Sequence, residues 1–184
     1  MAKIKVTNVR LAFPCLFTPE QFNGTGDPAY SATLLLDKGN HSDQIKQIKA
    51  AIEAVAKDKW KGKAAAVLES LGTDKKCLRD GDATEYDGFQ GAMSLHTRRR
   101  EKDGAPSVFD TDKTRLKESD GKPYGGCYVD AVVDVWAQDN AFGKRVNATL
   151  AGVKFVNDGD AFGGSVAASE DDFDFDNEEY DDLL

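Results

Sequence analysis

The residues best suited to chemistry in this chain are cations and aromatics. Arg98, Arg99 and Arg100 stand in one run and Lys102 follows. Lys113, Arg115 and Lys117 then alternate, with Lys122 behind them. At a period of two, these alternating cations would share one strand face and could track successive phosphates. Tyr124 and Tyr128 come next, and Trp136 falls on the same face of its strand as Tyr128. A cationic groove for a phosphate backbone, joined to aromatic faces for bases, is what sequence-tolerant binding of a single strand requires. Each stacked base contributes about 1–3 kcal/mol. A solvated charge run beside aromatics that merely pack a barrel would read the same way at this level.

Other chemistries find little support. The chain has no Gly-x-x-x-x-Gly-Lys-Ser/Thr loop, no Gly-x-Ser-x-Gly elbow and no His-Glu-x-x-His pair. Its two histidines, His41 and His96, are too few for a metal cluster. Asp130 and Asp134 share a strand face but lie about 13 Å apart at the usual rise. A two-metal site needs its ions within about 4 Å. Asp174 and Asp176 fall in a segment with nothing to hold them rigid. The three cysteines (Cys15, Cys77, Cys127) are widely spaced and without a Cys-x-x-Cys pair, which predicts reduced thiols in a cytoplasmic protein. No catalytic residue, metal or cofactor is expected.

The net charge of −8 conceals a division. Nine of the 32 acids lie in the last sixteen residues, SEDDFDFDNEEYDDLL, which contain no Lys or Arg. Residues 1–168 therefore hold 23 acids against 24 Lys and Arg. The tail, residues 169–184, is predicted to be disordered, because clustered acids repel one another and bury nothing. It nevertheless carries Phe173, Phe175 and Tyr180 and ends in Leu183-Leu184. Acids with spaced aromatics can imitate single-stranded nucleic acid in a basic, aromatic groove. Released by DNA, the same five side chains could dock on other proteins.

The elements that position these residues are mostly strands. Ile4, Val6, Val9, Leu11 and Phe13 alternate with polar residues, with one phase slip, which predicts a bulged strand. Residues 14–28 read as loop, and residues 30–36 as a second strand. From Ser42 the apolar spacing becomes helical (Ile45, Ile48, Ile52, Val55), with Ser42 or Asn40 as cap. A shorter helix is predicted over 63–71. Residues 89–98 alternate again, with Phe89, Met93 and Leu95 on one side. Residues 99–123 form a long basic arm. Residues 127–138 are the clearest strand: Val129, Ala131, Val133 and Val135 face the core, while Tyr128, Asp130, Asp134 and Trp136 face outward. Residues 145–156 form its partner. The whole predicts a mainly β domain over residues 1–168, an OB-fold-like Greek-key barrel of five or six strands with one packed helix. No apolar run is long enough to span a membrane, and the N-terminus has no apolar core of a secretion signal.

Three stretches give the chain a more specific likeness. YSATLLLDK (Tyr30 to Lys38), GKPYGGCYVDAVVDVWAQDN (Gly121 to Asn140) and LAGVKFVNDGDAFGG (Leu150 to Gly164), followed by the acidic tail, resemble the single-stranded-DNA-binding proteins of tailed bacteriophages. The resemblance implies an OB-fold that coats single-stranded DNA during phage replication, recombination and repair in the host cytoplasm. It further implies tail contacts to DNA polymerase and other replication proteins, and a homodimer in some relatives. Many such tails end in Phe, whereas this one ends in Leu183-Leu184. Two rivals remain at this level: a DNA mimic that inhibits a host enzyme, and a metal-dependent nuclease or recombination enzyme. The first calls for acids spread over the folded surface, the second for convergent carboxylates.

Overall fold

A computed structural model describes residues 2–162. The proposed tail and the boundary at residue 168 lie outside the described residues. Seven strands form one sheet: β1 (Ala2–Phe22), β2 (Thr25–Asp37), β3 (Leu78–Asp80), β4 (Ala92–Arg100), β5 (Ser107–Phe109), β6 (Tyr128–Asn140) and β7 (Gly143–Asn157). Five of them close on themselves in the order β1-β2-β4-β7-β6 and back to β1. All of these pairs are antiparallel except β4 with β7. This is the OB-like barrel that the sequence predicts, here fully closed.

Alternation explains the barrel interior. In β6, Val129, Ala131, Val133 and Val135 are buried, and every even-numbered neighbour up to Gln138 is half-buried on the outside. Val146, Ala148 and Leu150 of β7 face the same interior, as do Leu34 and Leu36 of β2 and Leu95 of β4. The phase slip in β1 is a bulge between Val6 and Val9, with Asn8 at φ 52°. The amide of Asn8 donates to Asp130 Oδ1, and its carbonyl meets His41 Nε2, so the bulge is braced from both sides.

Helix α1 (Ser42–Trp60) runs through a 3-10 turn at Lys61–Lys63 into α2 (Ala64–Ser70). Ile45, Ile48, Val55, Trp60 and Val67 join the barrel core, so the apolar stripe seals the barrel against β6 and β1. The cap differs from the prediction: His41 occupies the N-cap position, and no side chain there bonds the first turn.

Two expectations need correction. Residues 14–28 are not loop. They complete β1 and begin β2, joined by the turn Asn23-Gly24, with both residues at positive φ. Asn-Gly is the pair that favours such a two-residue hairpin, because both positions tolerate left-handed backbone. Phe89 is not on the core side with Met93 and Leu95. It lies in a separate cluster with Ala12, Leu35 and Ala92, against which Phe162 packs.

The arm, residues 101–127, begins in a 3-10 turn at Glu101–Asp103, and β5 then lies parallel to β7. A tight hairpin follows, closed by Leu116 N–H to Val108 C=O and by a bridge from Phe109 to Arg115. β5 thus continues the edge of β7 where β4 leaves it. Among the described residues, the only β4–β7 ladder pair is Arg98 with Thr149.

Candidate nucleic-acid interface

The strand period separates the three consecutive arginines. Arg98 and Arg100 are exposed. Arg98 stands beside Ser31 of β2 and Thr149 of β7 in register, and its Nη2 donates to the Asp27 carbonyl at 3.1 Å. Arg100 pairs with Asp103 at 3.0 Å. Arg99 points the other way. Its guanidinium donates to the carbonyls of Gly104 (2.7 Å), Asp103 (2.8 Å) and Leu150 (3.4 Å). It ties the turn after β4 to β7 and has few donors left for a phosphate.

The alternating cations do not share a strand face, contrary to the period-two expectation. Lys113 sits in the tight hairpin at φ 69°, Arg115 lies over the Phe109 ring at 5.3 Å, and Lys117 precedes a 3-10 turn at Glu118–Asp120. All three are exposed, as is Lys102. They form a scattered basic rim around the hairpin rather than a row.

The aromatics divide as well. Tyr124 packs against the core, and its hydroxyl donates to Asp158 Oδ1 at 2.7 Å while accepting from the Gly159 amide. These bonds fix the ring to the segment after β7. Tyr128 lines an open hollow of about 480 Å³ with Asn8, Asn157 and Asp158. Trp136 lies on the outer face of β6, with Nε1 donating to Thr149 Oγ1 at 3.0 Å. Thr149 is also the register partner of Arg98, so Arg98 and Trp136 share one outer surface across β4, β7 and β6. Eight residues part Trp136 from Tyr128, or about 26 Å along the strand, too far to stack neighbouring bases.

Exposed aromatics that sequence reasoning missed are Phe13, Phe22, Tyr86 and Phe142. Phe22 is at the tip of the β1–β2 hairpin and Phe142 at the tip of the β6–β7 hairpin. Phe13 and Tyr86 form an edge-to-face pair at 5.1 Å on top of buried Phe89. Turn tips carry no periodicity, so only the Asn-Gly turn and the short Ala141-Phe142 connection could have marked Phe22 and Phe142.

The carboxylates do not converge. Asp130 pairs with Lys154 at 3.1 Å and accepts from Asn8, which are structural duties. Among the described residues, no group of three His, Cys, Asp or Glu is placed to hold a metal ion, and no helix is long and apolar enough to cross a membrane.

His96 is half-buried beside Ser94 Oγ at 3.1 Å. Burial, and then the nearby Arg79 charge, lower its pKa from 6.5 to about 4. The neutral ring is therefore the native form, and the unfolded chain binds the proton more readily. The stability this contributes is complete above pH 6.5 and is lost as pH falls from 6.5 toward 4. His96→Gln should flatten that part of the pH dependence, read as urea midpoints across the window. An unchanged slope would show that other groups carry it.

The chain is similar to known proteins over most of its length. The family model described as "Enterobacter phage Enc34, ssDNA-binding protein" matches residues 2–184. Protein p50 of Acyrthosiphon pisum secondary endosymbiont phage 1 is 44% identical over 175 residues, covering 94% of this chain and 92% of that one. The single-stranded DNA-binding protein from bacteriophage Enc34, solved in complex with ssDNA, superposes with a TM-score of 0.76 at 31% identity, covering 88% of this chain and 89% of that one. Bacteriophage T7 gp2.5, also a single-stranded DNA-binding protein, shares the fold at a TM-score of 0.55 and 13% identity, over 92% of this chain and 99% of that one.

Proposed function

The chain belongs to the family of the Enterobacter phage Enc34 ssDNA-binding protein, and on that premise we propose that it binds single-stranded DNA without sequence preference and does no chemistry on it. The observation that carries this reading is the outer surface that Arg98 and Trp136 share, each of them a neighbour of Thr149. That surface presents both a cation for a phosphate and a ring for a base. Arg100, Lys102, Lys113, Arg115 and Lys117 form the surrounding basic rim, and Tyr128 is a second, more distant ring. Arg99 and Tyr124 hold the scaffold. Gel shifts with single-stranded DNA, duplex DNA and RNA of equal length test the reading. Preferential retention of the single strand is expected, and equal affinity for duplex would sink it.

In this reading the acidic tail (residues 169–184) competes with DNA for the basic surface. Displaced, it offers Phe173, Phe175, Tyr180, Leu183 and Leu184 to replication proteins such as a DNA polymerase. The division of charge between body and tail supports the competition. Deleting residues 169–184 should tighten single-strand binding at low salt and narrow the difference at high salt, where charge attraction is screened. A titration showing equal or weaker affinity after deletion would refute the competition. Coating of single strands during phage replication, recombination and repair is the role that follows from such binding.

A further inference from the structure

The outer face of the β6–β7 ladder continues past Trp136 to the hairpin tip. The next outward pairs are Trp136 with Asn147, Gln138 with Arg145, and Asn140 with Gly143. Asn147 Nδ2 donates to Gln138 Oε1 (3.0 Å) and Gln138 Nε2 to Asn140 Oδ1 (3.2 Å). That same Oδ1 accepts the Phe142 amide at 2.9 Å. A line of side-chain amides thus leads from Trp136 to the backbone of Phe142. Gly143, at φ 104°, closes the turn in left-handed backbone. The Phe142 ring is 87% exposed.

Charge gathers at the same tip. Lys75 Nζ lies 3.9 Å from where a side chain on Gly143 would begin. Arg145 is anchored by Nη2 to the Asp74 carbonyl at 2.9 Å, which leaves its other N–H groups for a ligand. Neither cation forms an ion pair among the described residues. The acid nearest in sequence to the turn, Asp139, accepts from Trp60 Nε1 at 2.9 Å. An exposed ring with two cations, reached along uncharged amides from another ring, has the makeup of a single-strand track.

We propose that bound single-stranded DNA runs along the β6–β7 ladder to its tip, where Phe142 stacks on a base and Lys75 and Arg145 hold the flanking phosphates. This rests on the single-strand-binding reading above and gives the strand a direction and an end point on the barrel. Binding of an oligothymidylate to Phe142→Ala, followed by fluorescence anisotropy, tests it. The exposed ring supports no packing, so the variant should melt with the wild type. Its affinity should fall about fivefold to a hundredfold at fixed salt, the equivalent of one lost stack, with the salt slope unchanged. Phe142→Trp should restore affinity and its added fluorescence should be quenched by the oligonucleotide, whereas Phe142→Leu should not restore it. Lys75→Gln should lower the salt slope by about 0.7. If the wild type binds and Phe142→Ala binds equally well, or if leucine rescues as well as tryptophan, the stacking role is overturned. If the wild type itself does not bind, the parent reading fails first.

Discussion

Gly126→Ala is expected to lower the unfolding free energy by about 2–5 kcal/mol, more than any change on the outer face of the barrel. Gly126 sits at φ 109°, where a side chain is strained whatever its surroundings. The surroundings are also full. A Cβ there would collide with the Asp160 carbonyl oxygen and come within 2.9 Å of the Ala161 Cα. These are backbone atoms, which cannot swing aside as the end of a long side chain can. The Gly126 amide donates to Leu11 C=O at 2.7 Å, and Arg10 Nε donates to its carbonyl at 3.1 Å. Arg10 in turn lies over the Phe162 ring at 4.0 Å and donates to Asp160 C=O at 2.7 Å. One glycine therefore lets three segments meet: β1, the approach to β6, and the chain leaving β7. Urea unfolding measures the cost. Gly104→Ala is the control, because Gly104 also has positive φ (79°) but open space around it. Equal midpoints for the two variants would show that the crowding has no weight.

The second large effect concerns binding. Removing Arg98 and Trp136 together should weaken single-strand affinity by about a hundredfold or more, combining one stack with one charged contact. The two parts are separable. Arg98→Ala should lower the salt slope by about 0.7, because one fewer counterion is displaced from the strand. Trp136→Phe keeps a ring but loses the bond to Thr149, and should retain most of the affinity that Trp136→Ala loses. Arg99→Ala gives the contrast: it should destabilise the fold and leave the salt slope alone, because its guanidinium serves carbonyls of the protein. A slope that falls equally for Arg98→Ala and Arg99→Ala would refute this division of labour.

What was legible in the sequence follows from where each strand's two faces lie. β6 has one face in the core and one outside, so its alternation gave the strand, its orientation and the outward place of Trp136 directly. The helix was equally plain, since only one stripe of it is buried. Residues 14–28 misled because β1 pairs with β6 only as far as Arg10, and beyond that only with β2. Pro14 and Pro19 are tolerated on an unpaired edge, and a hairpin that leaves the core keeps no apolar alternation. The basic arm was legible as charge but not as geometry. Its cations are placed by tight turns and 3-10 turns, whose positive φ values at Lys113 and Gly121 no period reveals. Parity alone could have parted Arg99 from its neighbours. Phe142 left no trace beyond its turn, because an exposed ring at a tip belongs to no pattern.

The single ladder pair between β4 and β7 has a mechanical meaning. A barrel whose β4–β7 seam has one ladder pair, Arg98 with Thr149, and one side-chain tie, Arg99 to the Leu150 carbonyl, is weakest along that seam; Arg98 stands on one lip, and Trp136 is held by Thr149 on the other. A strand lying across both would act as a suture, so the energy of binding and the energy of opening become one quantity. Amide exchange near the seam should then slow most when DNA is bound, although the protein's own contacts there are unchanged. The polymer that the barrel holds would in turn hold the barrel shut.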